Sequence, residues 1–303
     1  MPKVSVLIPT HNRASFLPKA VKSVLEQTHQ DFEIIVVDDA SKDETRHVLK
    51  GLQDPRIRYF RHDTNRGEAA STNTGIRHAT GDYVAFLHDD DAWLPEKLER
   101  QVDFLNRSGL KVGAVYSGYL TVDAETGKVL GTVMPQKRGN LSRELSTKNW
   151  IGVPSTVLLR RECFDSVGFF DEDIDEGADY DMWIRLSRAY QFDYIEEPLA
   201  LYAVHGNRLS ANYAMIVRGK EAQLRKHAEF FACDKKSYSR FFLSLGVLHC
   251  YNGNLYKGRE ALLRAITIYP FEVRPYFNLF LSLWGTDNFK RLKTFKDRVV
   301  SSF

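Results

Sequence analysis

The chain of 303 residues is poor in cysteine, with three, and in methionine, with four. Cys163, Cys233 and Cys250 are widely separated, odd in number and in no metal-ligand spacing. That excludes a disulfide scaffold or a cysteine zinc site and suits a reducing cytoplasm. No apolar run approaches the ~18 residues of a membrane span. Nor does the opening Met-Pro-Lys-Val-Ser-Val-Leu-Ile-Pro have the basic-then-apolar layout of a signal peptide. Charge of one sign is also scarce: 42 Lys+Arg against 39 Asp+Glu leave +3, too weak an excess to point to nucleic acid. What remains is an ordinary globular balance, 43% hydrophobic and 27% charged, with material for a large core. A soluble, cytoplasmic protein is expected.

The first hundred residues alternate short β-rich runs with amphipathic stretches. Strands are predicted at Val4–Ile8, Glu33–Asp39, Ile57–Phe60 and Tyr83–Leu87, and helices near 16–27, 44–52 and 68–78. Nearly unbroken apolar strands separated by helices imply an α/β fold, a mostly parallel sheet with helices on both faces. Ligands bind such sheets beyond the carboxyl ends of the strands. That rule singles out three polar clusters: Pro9-Thr10-His11-Asn12-Arg13, Asp38 to Ser41, and His88 to Asp91. From 112 to about 201 the pattern is irregular, with strands near 112–116, 155–159 and 199–204 and a helix near 181–190. Beyond Asn212 it is almost wholly helical. Here Phe242, Leu245, Gly246, Gly258, Leu262, Ala265 and Pro270 fall at the offsets of one tetratricopeptide-like helix pair. One unit cannot make a solenoid, so this region reads as a cap on the main domain or as a partner-binding surface. The expected domains are 1–212, divided at 111/112, and 213–303.

His88-Asp89-Asp90-Asp91 carries the strongest chemical signal. Adjacent carboxylates at a strand end repel one another unless a cation or a hydrogen-bonding turn relieves them. A hard divalent ion, Mn²⁺ or Mg²⁺, takes one or two carboxylates together with substrate phosphates. Helix capping by Asp91 is the competing reading and accounts for one aspartate only. In Asp38-Asp39-Ala-Ser41, Asp39 can accept the ring N–H of a pyrimidine, and the competing reading is a cap for the helix near Glu44 through Ser41 or Asp43. The Pro9–Arg13 turn offers hydroxyl, imidazole, amide and guanidinium groups to a nucleotide. Arg66 is either a bidentate partner for a diphosphate or a solvated turn residue. Asp179 lies in an acidic run at a helix start, a position the helix dipole favours and equally one for a base facing a hydroxyl. His205 reads equally as a ligand of metal or diphosphate and as a buried histidine. Trp183 reads as a floor to the site or as core.

In this order and spacing, these segments resemble the family 2 inverting glycosyltransferases of the GT-A fold. The likeness spans roughly 4–210. It is carried by Val4-Ser-Val-Leu-Ile-Pro-Thr-His-Asn12, Ile34-Ile-Val-Val-Asp-Asp-Ala-Ser41, Asn65-Arg-Gly67 with Asn73-Thr-Gly75, Gly81 to Trp93, Asp179-Tyr-Asp-Met-Trp183 and His205. It implies a UDP- or TDP-sugar donor, Mn²⁺ or Mg²⁺, and a glycan or glycolipid acceptor in surface polysaccharide or glycolipid synthesis. By the same resemblance the strand-1 turn and Asp39 hold the nucleoside, Asp89 lies near the ribose, and Asp90 is the principal metal ligand with Asp91 and His205 close by. A second register pairs Asp89 with Asp91. Asp179 is the general base, and the acceptor enters beside Trp150, Pro154, Ser155 and Trp183.

Three departures from the family pattern stand out: His88 replaces its first acid, Ala178 replaces the acid before the base, and Thr72 replaces an arginine. A nucleotidyltransferase is the alternative enzyme class, although its glycine-rich loop has no counterpart in the glycine-free Pro9–Arg13. A non-catalytic adaptor of the same fold is the third reading. The basic tail from 286 to 303 reads as a solvated helix or as a peripheral contact with an anionic membrane at the inner face.

Overall fold

A computed structural model describes residues 3–174, 176–205, 213–289 and 291. It divides into two compact units. The larger comprises 1–145, 149–173 and 178–207; the smaller comprises 208–303 with the short segments 146–148 and 174–177.

In the larger unit nine strands form one sheet. Strands β1 (Val4–Thr10), β2 (Phe32–Asp38), β3 (Ile57–Arg61) and β4 (Tyr83–Phe86) run parallel, joined by helices α1 (Leu17–Leu25), α2 (Thr45–Gly51) and α3 (Glu68–His78). Every residue of β2 is buried, as a strand covered on both faces requires. In β1 only Pro9 reaches partial exposure. β1 lies between β2 and β4, so successive crossovers leave it on opposite sides and open a crevice at its carboxyl end. The register, Thr10 opposite Asp38 and Leu7 opposite Phe86, brings the predicted polar clusters to that edge.

The second half makes the sheet mixed. Strand β8 (Val157–Arg160) runs antiparallel to β4 and to β6 (Val112–Asp123), while β9 (Gln191–Val204) is parallel to β6. A two-residue strand, β5 (Ala92–Trp93), pairs with β9, and β7 (Val129–Val133) pairs with β6. Strands β6 and β9 are far longer than their sequence suggests, because their outer halves are only partly buried and break the apolar run. Helices α4 (Lys97–Arg107), α5 (Ser142–Leu145), α6 (Cys163–Val167) and α7 (Ala178–Ala189) complete this unit.

The β5 strand also decides the capping question. Asp91 is followed by strand, and α4 begins six residues later with Glu96 at its N-cap. Asp91 therefore caps no helix.

The smaller unit is helical: α8 (Tyr213–Ala232), α9 (Lys235–Tyr251), α10 (Leu255–Ile268) and α11 (Val273–Ser282). Its core gathers Phe242 and Leu245 from α9 with Leu262 and Ala265 from α10. Gly246 and Gly258 let these helices touch: a Cβ on Gly258 would lie 2.4 Å from Cys250 Sγ and 3.0 Å from Gly246 O. Asp234 and Asn254 accept the N–H groups of Ser237 and Lys257 and so cap α9 and α10.

Candidate active site at the carboxyl edge of the sheet

Two short loops close over the ends of β1 and β2. His11 Nδ1 donates to the Asp39 carbonyl at 2.6 Å, and Asn12 Nδ2 donates to His11 Nε2 at 2.8 Å. The Asn12 amide N–H donates to Ser41 Oγ, and its side-chain oxygen accepts from Lys42 N. Asn12 and Ala40 both adopt left-handed backbone, with φ of 53° and 60°. For alanine that conformation is costly, a strain tolerated where a site must hold its shape.

Asp39 is buried and organises the next loop. Its carboxylate accepts the backbone N–H groups of Arg66 and Gly67 at 2.7–3.0 Å and the His62 Nδ1–H at 2.8 Å. His62 Nε2 in turn accepts from Thr74 Oγ1. Asp39 thus sets the entry to α3, and Glu68 opens that helix. The Arg66 guanidinium meets Glu172, which also accepts from Asn73 Nδ2.

The three aspartates after β4 part company. Asp89 accepts from Thr10 Oγ1 at 2.7 Å. Burial pushes its carboxyl up to about 7 despite that bond, and the charge of Asp90 adds to the shift. Asp91 is fully buried, accepting from Ser155 Oγ at 2.5 Å and Ala203 N at 3.0 Å, and burial carries it to about 6. Asp90 is the more accessible. Its Oδ2 lies 2.9 Å from His205 Nε2 and 3.4 Å from Arg13 Nη1. His205 stacks on Phe16 with ring centroids 4.8 Å apart.

Ligand-capable atoms of His88, Asp90 and Asp91 lie within 4.8 Å of one another. The carboxylate oxygens of Asp90 and Asp91 are hard donors that suit Mn²⁺ or Mg²⁺, and His88 would join them only as the neutral imidazole. Acids held above their usual range by burial and mutual charge are ones a divalent cation would relieve.

His88 Nε2 forms an ion pair with Glu68 Oε1 at 2.9 Å. Burial works against the imidazolium, yet the Glu68 carboxylate, helped by Asp91 and Asp90, holds His88 well above its ordinary value. Asp179 stands at the start of α7, half-buried, with Asn149 Nδ2 3.4 Å from its Oδ2. Burial raises its carboxyl to about 6; Glu68 adds to the rise and His88 opposes it. Asp179 is therefore within electrostatic reach of the same pair that adjoins the aspartates.

Sequence reasoning missed Glu68, His62 and Glu172. Glu68 and Glu172 were visible only as charges on a helix start and in an acidic run. Their partners lie 20 and 99 residues away in the chain.

Two acceptor candidates are corrected. Trp183 has no exposure, and its ring packs edge-on against Phe86 and Phe192. Ser155 is buried under Asp91. Neither is exposed to touch an acceptor: Trp183 belongs to the core, and Ser155 holds Asp91. Trp150 and Pro154 are partly exposed, with Trp150 Nε1 donating to the Glu144 carbonyl. Asp181, beside Asp179, is fully buried and ion-paired to Arg185.

Comparison with known proteins gives this edge a family. The sequence model described as glycosyl transferase family 2 matches residues 5–168. The chain belongs to glycosyltransferase family 2. An uncharacterized glycosyltransferase of Rickettsia felis is 34% identical over 214 residues, covering 68% of this chain and 35% of its own. This chain spans about one third to two thirds of the length of the first curated relatives it matches. The GalNAc(5)-diNAcBac-PP-undecaprenol β-1,3-glucosyltransferase of Campylobacter jejuni is 28% identical over 298 residues, covering 88% of this chain and 87% of its own.

The GT-A fold is shared with TarS of S. aureus, whose residues 1–349 were crystallised with UDP. The TM-score is 0.62 at 17% identity, covering 98% of this chain and 91% of that one. The mannosyltransferase PcManGT of Pyrobaculum calidifontis, in complex with GDP-Man and Mn²⁺, gives 0.58 at 21% identity, covering 88% and 75%.

Proposed function

We propose that this family 2 protein transfers a sugar, with inversion, from a nucleotide-diphospho-sugar to an acceptor hydroxyl with the help of Mn²⁺ or Mg²⁺. The reading is carried by one observation. The strand-end loops bearing Thr10, Arg13, Asp39 and Asp90 converge with His205 on one sheet edge.

In this reading the nucleoside lies against Pro9, Thr10, His11, Asn12 and Asp39, with the ribose near Asp89. Asp90 holds the cation, with Asp91 and His205 beside it. In the same reading Arg13, beside Asp90, shares the diphosphate charge, and Arg66 would do so by leaving Glu172. When bound, a divalent ion there neutralises charge on the departing nucleoside diphosphate. Asp179 takes the proton of the acceptor hydroxyl as its oxygen attacks the anomeric carbon. The bond from that carbon to the diphosphate oxygen breaks on the opposite face, and the configuration inverts.

A UDP- or TDP-sugar is the donor in this reading, and the UDP complex of TarS supports that class. The acceptor is a glycan or glycolipid, carried on a polyprenyl diphosphate at the inner membrane face. Its support is the name of the Campylobacter relative, which aligns over most of both chains. Residues 1–212 would serve as the transferase domain and 213–303 as a helical appendage.

Titration of UDP in MnCl₂ tests the assignment of Asp90. Asp90→Ala should weaken metal-dependent binding by at least ~10–100-fold, the usual cost of losing even a metal's outer partners. Equal affinity in the variant would reject this register. Product of retained anomeric configuration would reject the single displacement.

A further inference from the structure

Lys97, which opens α4, is fully buried. Its Nζ donates to Gln101 Oε1 at 2.7 Å and lies 4.0 Å from the centre of the Trp93 ring. No other acceptor meets that amine among the described residues, and burial pushes it well below the ordinary lysine range. An amine out of reach of water and short of acceptors is costly, and an apolar side chain would fill this place at lower cost. What the amine touches shows its use.

Both contacts lead to one short turn, Pro154–Thr156. Trp93 Nε1 donates to the Ser155 carbonyl at 2.7 Å, and Gln101 Nε2 donates to the Thr156 carbonyl at 2.7 Å. Lys97 therefore joins the two side chains that hold successive carbonyls of that turn. Trp93 is fixed at its own backbone as well, where its N–H donates to Ser23 Oγ at 3.1 Å.

The Ser155 hydroxyl meets the strand-end aspartates. It accepts the His88 N–H at 3.1 Å and donates to Asp91 Oδ2 at 2.5 Å. By accepting one hydrogen bond and donating another, a single oxygen ties both ends of the His88–Asp91 segment. The other Asp91 oxygen accepts from Ala203 N, so that carboxylate is held on both sides. Asp90 lies between the tied ends, and its carboxylate meets Arg13 and His205. Its place therefore depends on a buried hydroxyl that it does not touch.

We propose that Ser155 is a positioning residue for the cation held at Asp90 and Asp91, and that Lys97 keeps Ser155 in place through Trp93 and Gln101. The inference rests on the reading of Asp90 as a cation ligand and deepens it. Both residues are buried and act through others.

Calorimetric titration of UDP into the full chain, in MnCl₂ and in EDTA, tests the proposal. Ser155→Ala should weaken binding in MnCl₂ by about 10–100-fold, the usual effect of losing a metal ligand's outer partner, and leave binding in EDTA unchanged. Lys97→Met keeps the length of the side chain and removes the amine. It should shift the MnCl₂ affinity in the same direction by a smaller factor, without lowering the melting temperature. A merely structural support would weaken binding in both conditions in step with a fall in melting temperature, and that result overturns the proposal. So does an unchanged MnCl₂ affinity in either variant. If Ser155→Ala does not fold, Lys97→Met decides by itself. Wild type that binds UDP equally in MnCl₂ and EDTA would strike the cation reading and this inference with it. Loss of MnCl₂ affinity in Asp90→Ala beside an unaffected Ser155→Ala would strike this inference alone.

Discussion

Burial raises the Asp179 carboxyl from an ordinary 3.8 to about 6, with Glu68 contributing and His88 opposing. A general base must be ionised to act, so the transfer rate should climb with pH and reach half its plateau near pH 6. A flat profile between pH 5 and 7 would move the base elsewhere. The linkage to stability has the other sign. Between 3.8 and about 6 the folded carboxyl keeps a proton that the unfolded one has released, so its contribution to stability falls as pH rises through that window. Asp179→Asn removes both effects. It should cut transfer by ~10²–10⁴-fold while UDP binding stays within about twofold of wild type. Ala178 leaves Asp179 without the acidic neighbour usual in this family, and Glu68, 111 residues earlier, supplies a negative charge there instead.

Elements explain why these side chains meet. β5 is only Ala92–Trp93, yet its ladder with Leu201 and Ala200 pulls the end of β9 alongside the aspartates. The Ala203 N–H then reaches Asp91, and His205, just past the strand, reaches Asp90. In the helical unit the corresponding feature is the glycine contact between α9 and α10. Gly258→Ala would set a methyl 2.4 Å from Cys250 Sγ and 3.0 Å from Gly246 O, so the Cys250 side chain or one of the helices must shift. Overpacking of this kind costs about 1–3 kcal/mol. Chemical denaturation should show that loss, while UDP affinity in Mn²⁺ remains unchanged. Parallel loss of UDP affinity would show that the helical unit's packing supports nucleotide binding.

Taken as a whole, the chain has no helix among its described residues long and apolar enough to cross a membrane. A donor and metal that bind the folded chain and not the unfolded one should register in its stability. Mn²⁺ with UDP at about one hundred times their dissociation constants should add about 2.7 kcal/mol of stability, visible as a rise in melting temperature that EDTA reverses. No rise with any nucleotide diphosphate would count against the donor class.

Much of this architecture is written in local pattern. Nearly unbroken apolar runs such as Val4–Ile8, interrupted only by Ser5, and Ile34–Val37 fit strands covered on both faces, so the parallel half and its polar edge follow from hydrophobic periodicity. The aspartates after β4 are legible for the same reason, being charges at the end of a buried strand. Pairing across long separations is not written there, because it is set by register between strands and by which polar groups burial forces together. That is how β8 comes to run antiparallel, how Asp91 becomes a buried acceptor, and how Glu68 finds His88. Trp183 shows the limit from the other side: its neighbours in sequence promise a site, and only packing against Phe86 and Phe192 makes it core.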